Sequence, residues 1–241
     1  MVLVRRKKYG INYYQKWFCD RIDPLDVFKF VAYRQVSRKA RSFCFREEPF
    51  YTIIIDLRSD LEKIFEGFTK ETQYEIRRAE RDGIKVCICN EDEKFVEFFN
   101  SFARERNLVQ TTRDKIDSLS GNKLITEAQL DEQTLVLHLY ICDGKIARLL
   151  YSATRIDAVV AKSVIGRANR FLHYEDIKYF KEHGYETYDL GGYAKDTQDP
   201  KLRGINVFKE SFGGTIVEQY NYYSPLYKLA MKLGKGGWLC I

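Results

Sequence analysis

Two strand-like runs near the middle of the chain, residues 135–141 (LVLHLYI) and 146–154 (IARLLYSAT), are joined by Cys142-Asp143-Gly144-Lys145. Asp-Gly readily adopts the positive φ of a tight turn between antiparallel strands, so this stretch predicts a hairpin. The flanking sequence is built to cover it. Residues 51–57 (YTIIIDL) form a β-branched, strand-type run, and Ser59-Asp60-Leu61-Glu62 has capping-box spacing, opening a helix with Leu61, Ile64, Phe65 and Phe68 on its buried face. A second helix is expected over 70–82, ended by Gly83, then a strand over 84–88. An amphipathic helix follows over 91–106, with Phe95, Val96, Phe98, Phe99 and Phe102 turned inward. Residues 107–133 are polar, with a short helix near 113–119. Downstream, 158–165 is expected to supply a third meander strand, 171–183 a helix ended by Gly184, and 186–190 and 216–223 the last strands. Helices, an antiparallel meander, a helix and further strands make α+β order: a mixed, mostly antiparallel sheet flanked by helices.

At 241 residues, 45% apolar and 31% charged, the chain can bury a sizeable core and falls outside the disordered range. Its first 50 residues are basic and aromatic and read as an extension packed on a core domain of residues 51–241. The net charge of +6 is unevenly spread, with Arg5, Arg6, Lys7 and Lys8 at one end and Lys228, Lys232 and Lys235 at the other. Such a balance favours polyanions: cofactor phosphates, tRNA or an anionic membrane surface. Six cysteines without a C-x-x-C pair and three histidines give no zinc-ligand spacing, so no metal is expected. No apolar signal region and no run of about 20 apolar residues occurs. The expected location is therefore cytoplasmic, with at most peripheral contact at the inner face of the membrane.

Four segments carry a family resemblance: FTKETQYEIRRAERDG (68–83), ANRFLHYEDIKYFKEHGYETYDLGG (168–192), VFKESFGG (207–214) and YYSPLYKL (222–229). In order and spacing they resemble the GNAT-fold acyltransferases, specifically the Fem-like branch of peptidoglycan bridge-forming aminoacyltransferases and related N-acyltransferases. The resemblance implies a GNAT-like fold and an enzyme that moves an acyl group onto a primary amine of an amino sugar, amino acid or peptide of the cell envelope. The donor it implies first is acyl-CoA, which a single compact module favours, with aminoacyl-tRNA as the alternative. Two departures stand out. The chain has room for one such module rather than two, and the glycine-rich pyrophosphate loop of GNAT enzymes is absent. In its place, Gly166, Arg167, Ala168 and Asn169 are the expected cofactor-binding segment, since small residues expose backbone N–H groups and Arg167 adds charge. A non-catalytic protein of the same fold that binds RNA or anionic lipid through its basic face is the reading from another class.

Acyl transfer by direct attack needs a neutral amine, a stabilised oxyanion and a proton for the leaving group, and no nucleophilic side chain. Lys209 matches the lysine of the family's F-K-x-x-F motif, and its position between Phe208 and Phe212 suggests a partly desolvated ammonium; the other reading has it facing solvent. Asp189, at a strand end before Gly191 and Gly192, is either a base for the acceptor amine or a carboxylate capping backbone N–H groups in the turn. Tyr174 is a candidate proton donor and otherwise a packing residue. His173 has the pKa range of a base, although a lone histidine is more often structural. Lys70, Arg77, Arg78 and Arg81 share a helix face with Tyr74 and form an expected anion-binding surface, unless they are simply solvated. Leu226, Leu229, Ala230 and Leu233, set among lysines in residues 225–238, suit docking at lipid headgroups or packing on the chain's own domain.

Overall fold

The computed structural model describes residues 1–8, 10–41, 44–156 and 160–233. The chain begins with β1 (Val2–Lys8), β2 (Ile11–Trp17), β3 (Val31–Val36) and β4 (Arg46–Asp56), followed by α1 (Leu61–Glu66), α2 (Lys70–Arg81), β5 (Lys85–Ile88), α3 (Asp92–Glu105) and α4 (Arg113–Asp117). It continues through β6 (Lys123–Leu130), β7 (Gln133–Cys142), β8 (Ile146–Thr154), α5 (Lys162–Glu182), β9 (Thr187–Gly192), α6 (Pro200–Glu210), β10 (Thr215–Tyr223) and α7 (Pro225–Leu233). The strands form one sheet in the order β1-β2-β3-β10-β4-β9-β8-β7-β6-β5. Its pairs are antiparallel except β2–β3 and β8–β9. The fold is the α+β, GNAT-like arrangement expected from the sequence.

Both faces of the sheet are covered. Strand β7 gives Val136, Tyr140 and Cys142 to a core shared with α1, α2 and α5, while Leu137, Leu139 and Ile141 enter a second core with α3 and α4. The alternation of β-strand side chains thus makes a continuous apolar run the signature of a central strand. In the second core the stacked rings of Phe95 and Phe99, 5.9 Å apart, close over Tyr151.

Three expectations need correction. The meander is β6–β7–β8, because β6 forms from the stretch read as polar loop, and β6 and β7 meet through a two-residue turn. Asp131 and Glu132 both adopt positive φ there (48° and 63°), the geometry of a type I′ hairpin made without its usual glycine. No strand spans 158–165: residues 157–159 lie outside the described residues, and from Lys162 the chain is already α5. At α1 the capping box is not made, since the helix starts at Leu61 and the side chain of the N-cap Asp60 makes no capping hydrogen bond. Strands β1–β3 extend the main sheet, with β3 paired to β10. The closing helix α7 packs against β3, with Tyr227 buried and Lys228 paired to Glu48, while Leu229 is exposed. Lys235 and Trp238 lie outside the described residues.

Candidate active site

Parallel strands β8 and β9 pair only over Ile146–Thr187, Ala147–Tyr188 and Arg148–Asp189. Beyond that point β8 keeps β7 as its partner and β9 keeps β4, so the two strands part and open the middle of the sheet. Gly191 sits at the opening with φ +77°, and a Cβ there would lie 2.9 Å from the Leu149 carbonyl oxygen. Only glycine meets both the left-handed conformation and the close approach. A cavity of about 890 Å³ fills the gap, walled by Leu149, Leu150 and Ser152 of β8, Leu190 to Gly192 of β9, Asn169 and His173 of α5, and Leu202, Ile205, Phe208 and Lys209 of α6. Its outer wall is Phe102 and the segment 105–108 at the end of α3. A second cavity of about 490 Å³ shares Arg106, Thr154 and Asn169 with the first and runs along the start of α5.

Among the cations of the larger cavity, Lys209 and Arg148 lie at the glycine turn. Lys209 lies on the last turn of α6, half-buried, with its Nζ donating to the Gly192 carbonyl at 2.6 Å. Burial, reinforced by the Arg148 guanidinium and opposed by Asp189, lowers its pKa to about 8. Arg148 enters from β8. Its guanidinium lies over the Trp17 ring, with Cζ 5.2 Å from the ring centroid, and its Nε is buried without a hydrogen-bond partner. The Nζ of Lys209 and a terminal nitrogen of Arg148 come within 3.8 and 3.9 Å of where a Cβ on Gly191 would stand, so the two charges converge on the glycine turn.

Asp189 lies beneath them, 1% exposed. Its Oδ1 accepts from the Thr52 hydroxyl and from the Gly191 N–H at 2.7 Å, and its Oδ2 accepts from Gln35 Nε2 at 2.6 Å. Gln35 adopts φ 53° at the end of β3, and its amide nitrogen also donates to Gln219 Oε1 at 2.8 Å. Sequence reading missed Arg148, Gln35 and Thr52. Arg148 left a signal, a lone charge inside the apolar run of residues 146–150; Gln35 and Thr52 left none, being ordinary polar residues brought in by sheet order.

The remaining expected residues separate. Phe208, Gly191 and Gly192 line the larger cavity with Lys209. Gly166, Arg167, Ala168 and Asn169 form no loop: they lie inside α5, where their N–H groups are committed to helix hydrogen bonds. Gly166 and Asn169 border the smaller cavity, whereas Arg167 is buried and turned toward α2, its Nε 3.0 Å from Asp82. Tyr174 packs with Phe65 and Phe68 at centroid distances of 5.0 and 6.2 Å and does not line the cavity. Lys70, Arg77, Arg78 and Arg81 are exposed on α2, away from the cavity, with Thr72, Gln73, Ile76 and Ala79 on the buried face. Arg77 lies over the Phe65 ring at 5.1 Å.

A buried chain of polar groups leads from the cavity wall into the core. His173 Nδ1 lies 2.6 Å from the Tyr188 hydroxyl, Tyr188 Oη 2.7 Å from Tyr140 Oη, and the Tyr140 hydroxyl donates to Asp176 Oδ2 at 2.6 Å. His138 Nδ1 is 2.8 Å from the same carboxylate oxygen, and its ring centroid is 4.4 Å from that of His173. These five groups are at most 1% exposed. Burial holds His173 well below the ordinary histidine pKa, helped by His138, Lys209 and Arg170, and drives the two tyrosines far above theirs. Among the described residues no cluster of side chains could hold a metal ion, and no helix is long and apolar enough to cross a membrane.

No family model and no curated protein matches this sequence. The fold is nonetheless shared with solved structures. The crystal structure of FemX superposes with a TM-score of 0.67 at 14% identity, over 96% of this chain and 85% of the other. The C-terminal domain of a lysylphosphatidylglycerol synthetase from Agrobacterium fabrum gives 0.61 at 14% identity, over 99% and 87%. L-PGS from Bacillus licheniformis gives 0.55 at 14% identity, over 87% and 73%. At these identities the likeness is one of fold alone, shared with FemX, the synthetase domain and L-PGS.

Proposed function

We propose that this protein is an acyltransferase that moves an acyl or aminoacyl group onto the primary amine of a cell-envelope precursor, an amino sugar, amino acid or peptide. The observation that carries this reading is the pair of cations, Lys209 and Arg148, converging on the Gly191 turn at the mouth of the parted sheet. A donor carbonyl seated there would develop its negative charge beside two preorganised, partly desolvated positive groups, which favour the tetrahedral transition state over the neutral ester or thioester. Lys209, with a pKa of about 8, is mostly protonated at neutral pH and close enough to it to hand a proton to the departing group. The C–N bond forms as the C–O or C–S bond breaks, and the leaving oxygen or sulfur takes that proton.

Of the two donors, aminoacyl-tRNA is favoured by one observation. The segment expected to cradle the pyrophosphate of acyl-CoA is helix interior, and Arg167 is engaged by Asp82. A tRNA ester needs no such loop, and the exposed cations of α2 offer its backbone a surface. Exposed Leu202, Ile205 and Val207 on α6, beside Lys201 and Arg203, support peripheral contact with an anionic membrane. The test presents 14C-labelled aminoacyl-tRNA or acetyl-CoA together with a lysine-bearing peptide, glucosamine or free amino acids, and identifies products by mass spectrometry. Transfer from charged tRNA that is lost in Lys209→Ala supports the reading. Transfer from acetyl-CoA alone moves the donor to CoA. Salt-sensitive RNA or vesicle binding with no turnover from either donor leaves a binding protein and sinks the enzyme.

A further inference from the structure

We infer that His173 is the general base of this site, taking the proton from the acceptor amine at Nε2 while the buried chain Tyr188–Tyr140–Asp176 holds its Nδ1 protonated. This rests on the transferase reading and assigns the step that the two cations cannot perform.

Counting protons along the chain fixes the tautomer. Each phenol has one proton to give. Tyr140 spends its own on the Asp176 carboxylate, so the Tyr140–Tyr188 contact needs the Tyr188 proton. With that proton used, the 2.6 Å contact between Tyr188 and His173 holds only if His173 Nδ1–H is the donor. In a neutral imidazole the lone pair is then on Nε2, which makes no hydrogen bond among the described residues, and the ring is part of the cavity wall. The charged and titratable neighbours of His173 are His138, Tyr188, Lys209, Arg170 and Asp176. Lys209 and Arg170 disfavour a resting imidazolium, while the Asp176 carboxylate at the far end of the chain stabilises one that forms in the transition state. As the amine nitrogen bonds to the acyl carbon, its proton passes to Nε2. The leaving group carries off the bonding pair and takes its proton from Lys209, and proton exchange between the two groups and solvent restores both.

The protein has three histidines, so single substitutions assign each ring in long-range 1H–15N spectra of labelled protein. The wild type should show His173 at pH 7 as the neutral Nδ1–H tautomer, and Tyr188→Phe should move it toward Nε2–H. In the transfer assay described above, His173→Gln, checked for folding by circular dichroism, should lower kcat by about 10²- to 10⁴-fold and erase the acid limb of the pH–rate profile. That limb should lie below pH ~6.5 in the wild type. Tyr188→Phe should lower kcat with KM unchanged. An imidazolium or Nε2–H tautomer at pH 7, or wild-type kcat in His173→Gln, overturns the assignment while the transferase stands. No transfer by the wild type from either donor overturns the transferase reading and this assignment with it.

Discussion

Replacing Lys209 by methionine keeps the unbranched stem, one atom shorter, and removes the ammonium with its charge and its hydrogen bond, which makes the desolvation of this ammonium measurable as stability. A lysine held near 8 in the folded protein and near 10.5 in the unfolded chain binds fewer protons when folded between those two pH values. Stability therefore rises with pH across that window. The penalty for carrying the charge is fully present below pH 8 and relieved as pH climbs toward 10.5. A gap of about 2.5 pH units corresponds to about 3.4 kcal/mol at 1.36 kcal/mol each. Lys209 is only half-buried, so solvent screening brings the expectation to about 1–2 kcal/mol. The hydrogen bond to Gly192, worth about 1 kcal/mol and made by the wild type alone, separates the two proteins by a constant amount and does not enter the slope. Urea unfolding of wild type and Lys209→Met at half-unit intervals from pH 7 to pH 10.5 gives the difference directly, with tyrosine titration cancelling between them. Wild-type stability should gain about 1–2 kcal/mol on the variant across that range. A flat difference would mean an ammonium hydrated as in the unfolded chain, and a falling one would mean that Asp189 outweighs burial; either refutes the electrostatic argument for the site.

Three further outcomes follow from the same geometry. Gly191→Ala and Gly184→Ala both place alanine at a φ near +78°, but only at Gly191 does the new Cβ meet backbone; Gly184 should lose about 1–2 kcal/mol and Gly191 about 1–3 kcal/mol more, read as the difference in urea midpoints. Asp189→Asn leaves one acceptor oxygen for donors on both sides of the carboxylate and strips Arg148 of its compensating charge, so stability should fall by about 2–4 kcal/mol in the same assay, and a loss under 1 kcal/mol would show that the buried cluster is not ionic. Arg77→Glu combined with Arg78→Glu should weaken tRNA binding and reduce the slope of log K against log salt by about 1–2, whereas an unchanged slope in filter binding would make this face of α2 merely solvated.

What the sequence made legible follows the range of the signals. The β7–β8 hairpin was readable because Asp143-Gly144 marks its turn, and α3 because its phenylalanines repeat at helical spacing. The β6–β7 hairpin escaped because Asp131-Glu132 makes the same kind of turn with residues that do not announce it; tertiary pairing holds them at positive φ. The segment 165–169 looked like a loop because Gly166 breaks helical propensity, yet the long α5 carries it, as Ala168, Phe171 and Leu172 bury against α2 and the sheet. At the site, Lys209, Asp189 and the glycine pair lie within one continuous run, so sequence could gather them. Arg148, Gln35 and Thr52 come from three other strands, and only the order of strands in the sheet brings them under Gly191.

The same accounting separates the two groups that sequence offered as bases. An acceptor for a substrate proton needs an unoccupied lone pair facing the reacting atoms. Asp189 has its carboxylate oxygens engaged by Thr52, Gly191 and Gln35, and Arg148 stands beside it. To take a proton it would have to release the turn that lets β8 and β9 part, and so dismantle the cavity it serves. Its charge does more by staying fixed: it holds the Gly191 turn and permits two cations to sit close together in partial burial. His173 is the opposite case. Its inner nitrogen is committed to Tyr188, its outer nitrogen has no partner among the described residues, and burial keeps the ring neutral at the pH where an amine must be deprotonated. A site with fixed negative charge below, positive charge at the mouth and a neutral base on the wall can accept a cationic amine only after that amine gives up its proton. This predicts a transfer rate that rises through the acid limb of His173 below pH ~6.5, holds level, and falls as Lys209 discharges near pH 8. A rate still rising steadily through pH 9.5 in the wild type would remove Lys209 from proton donation to the leaving group.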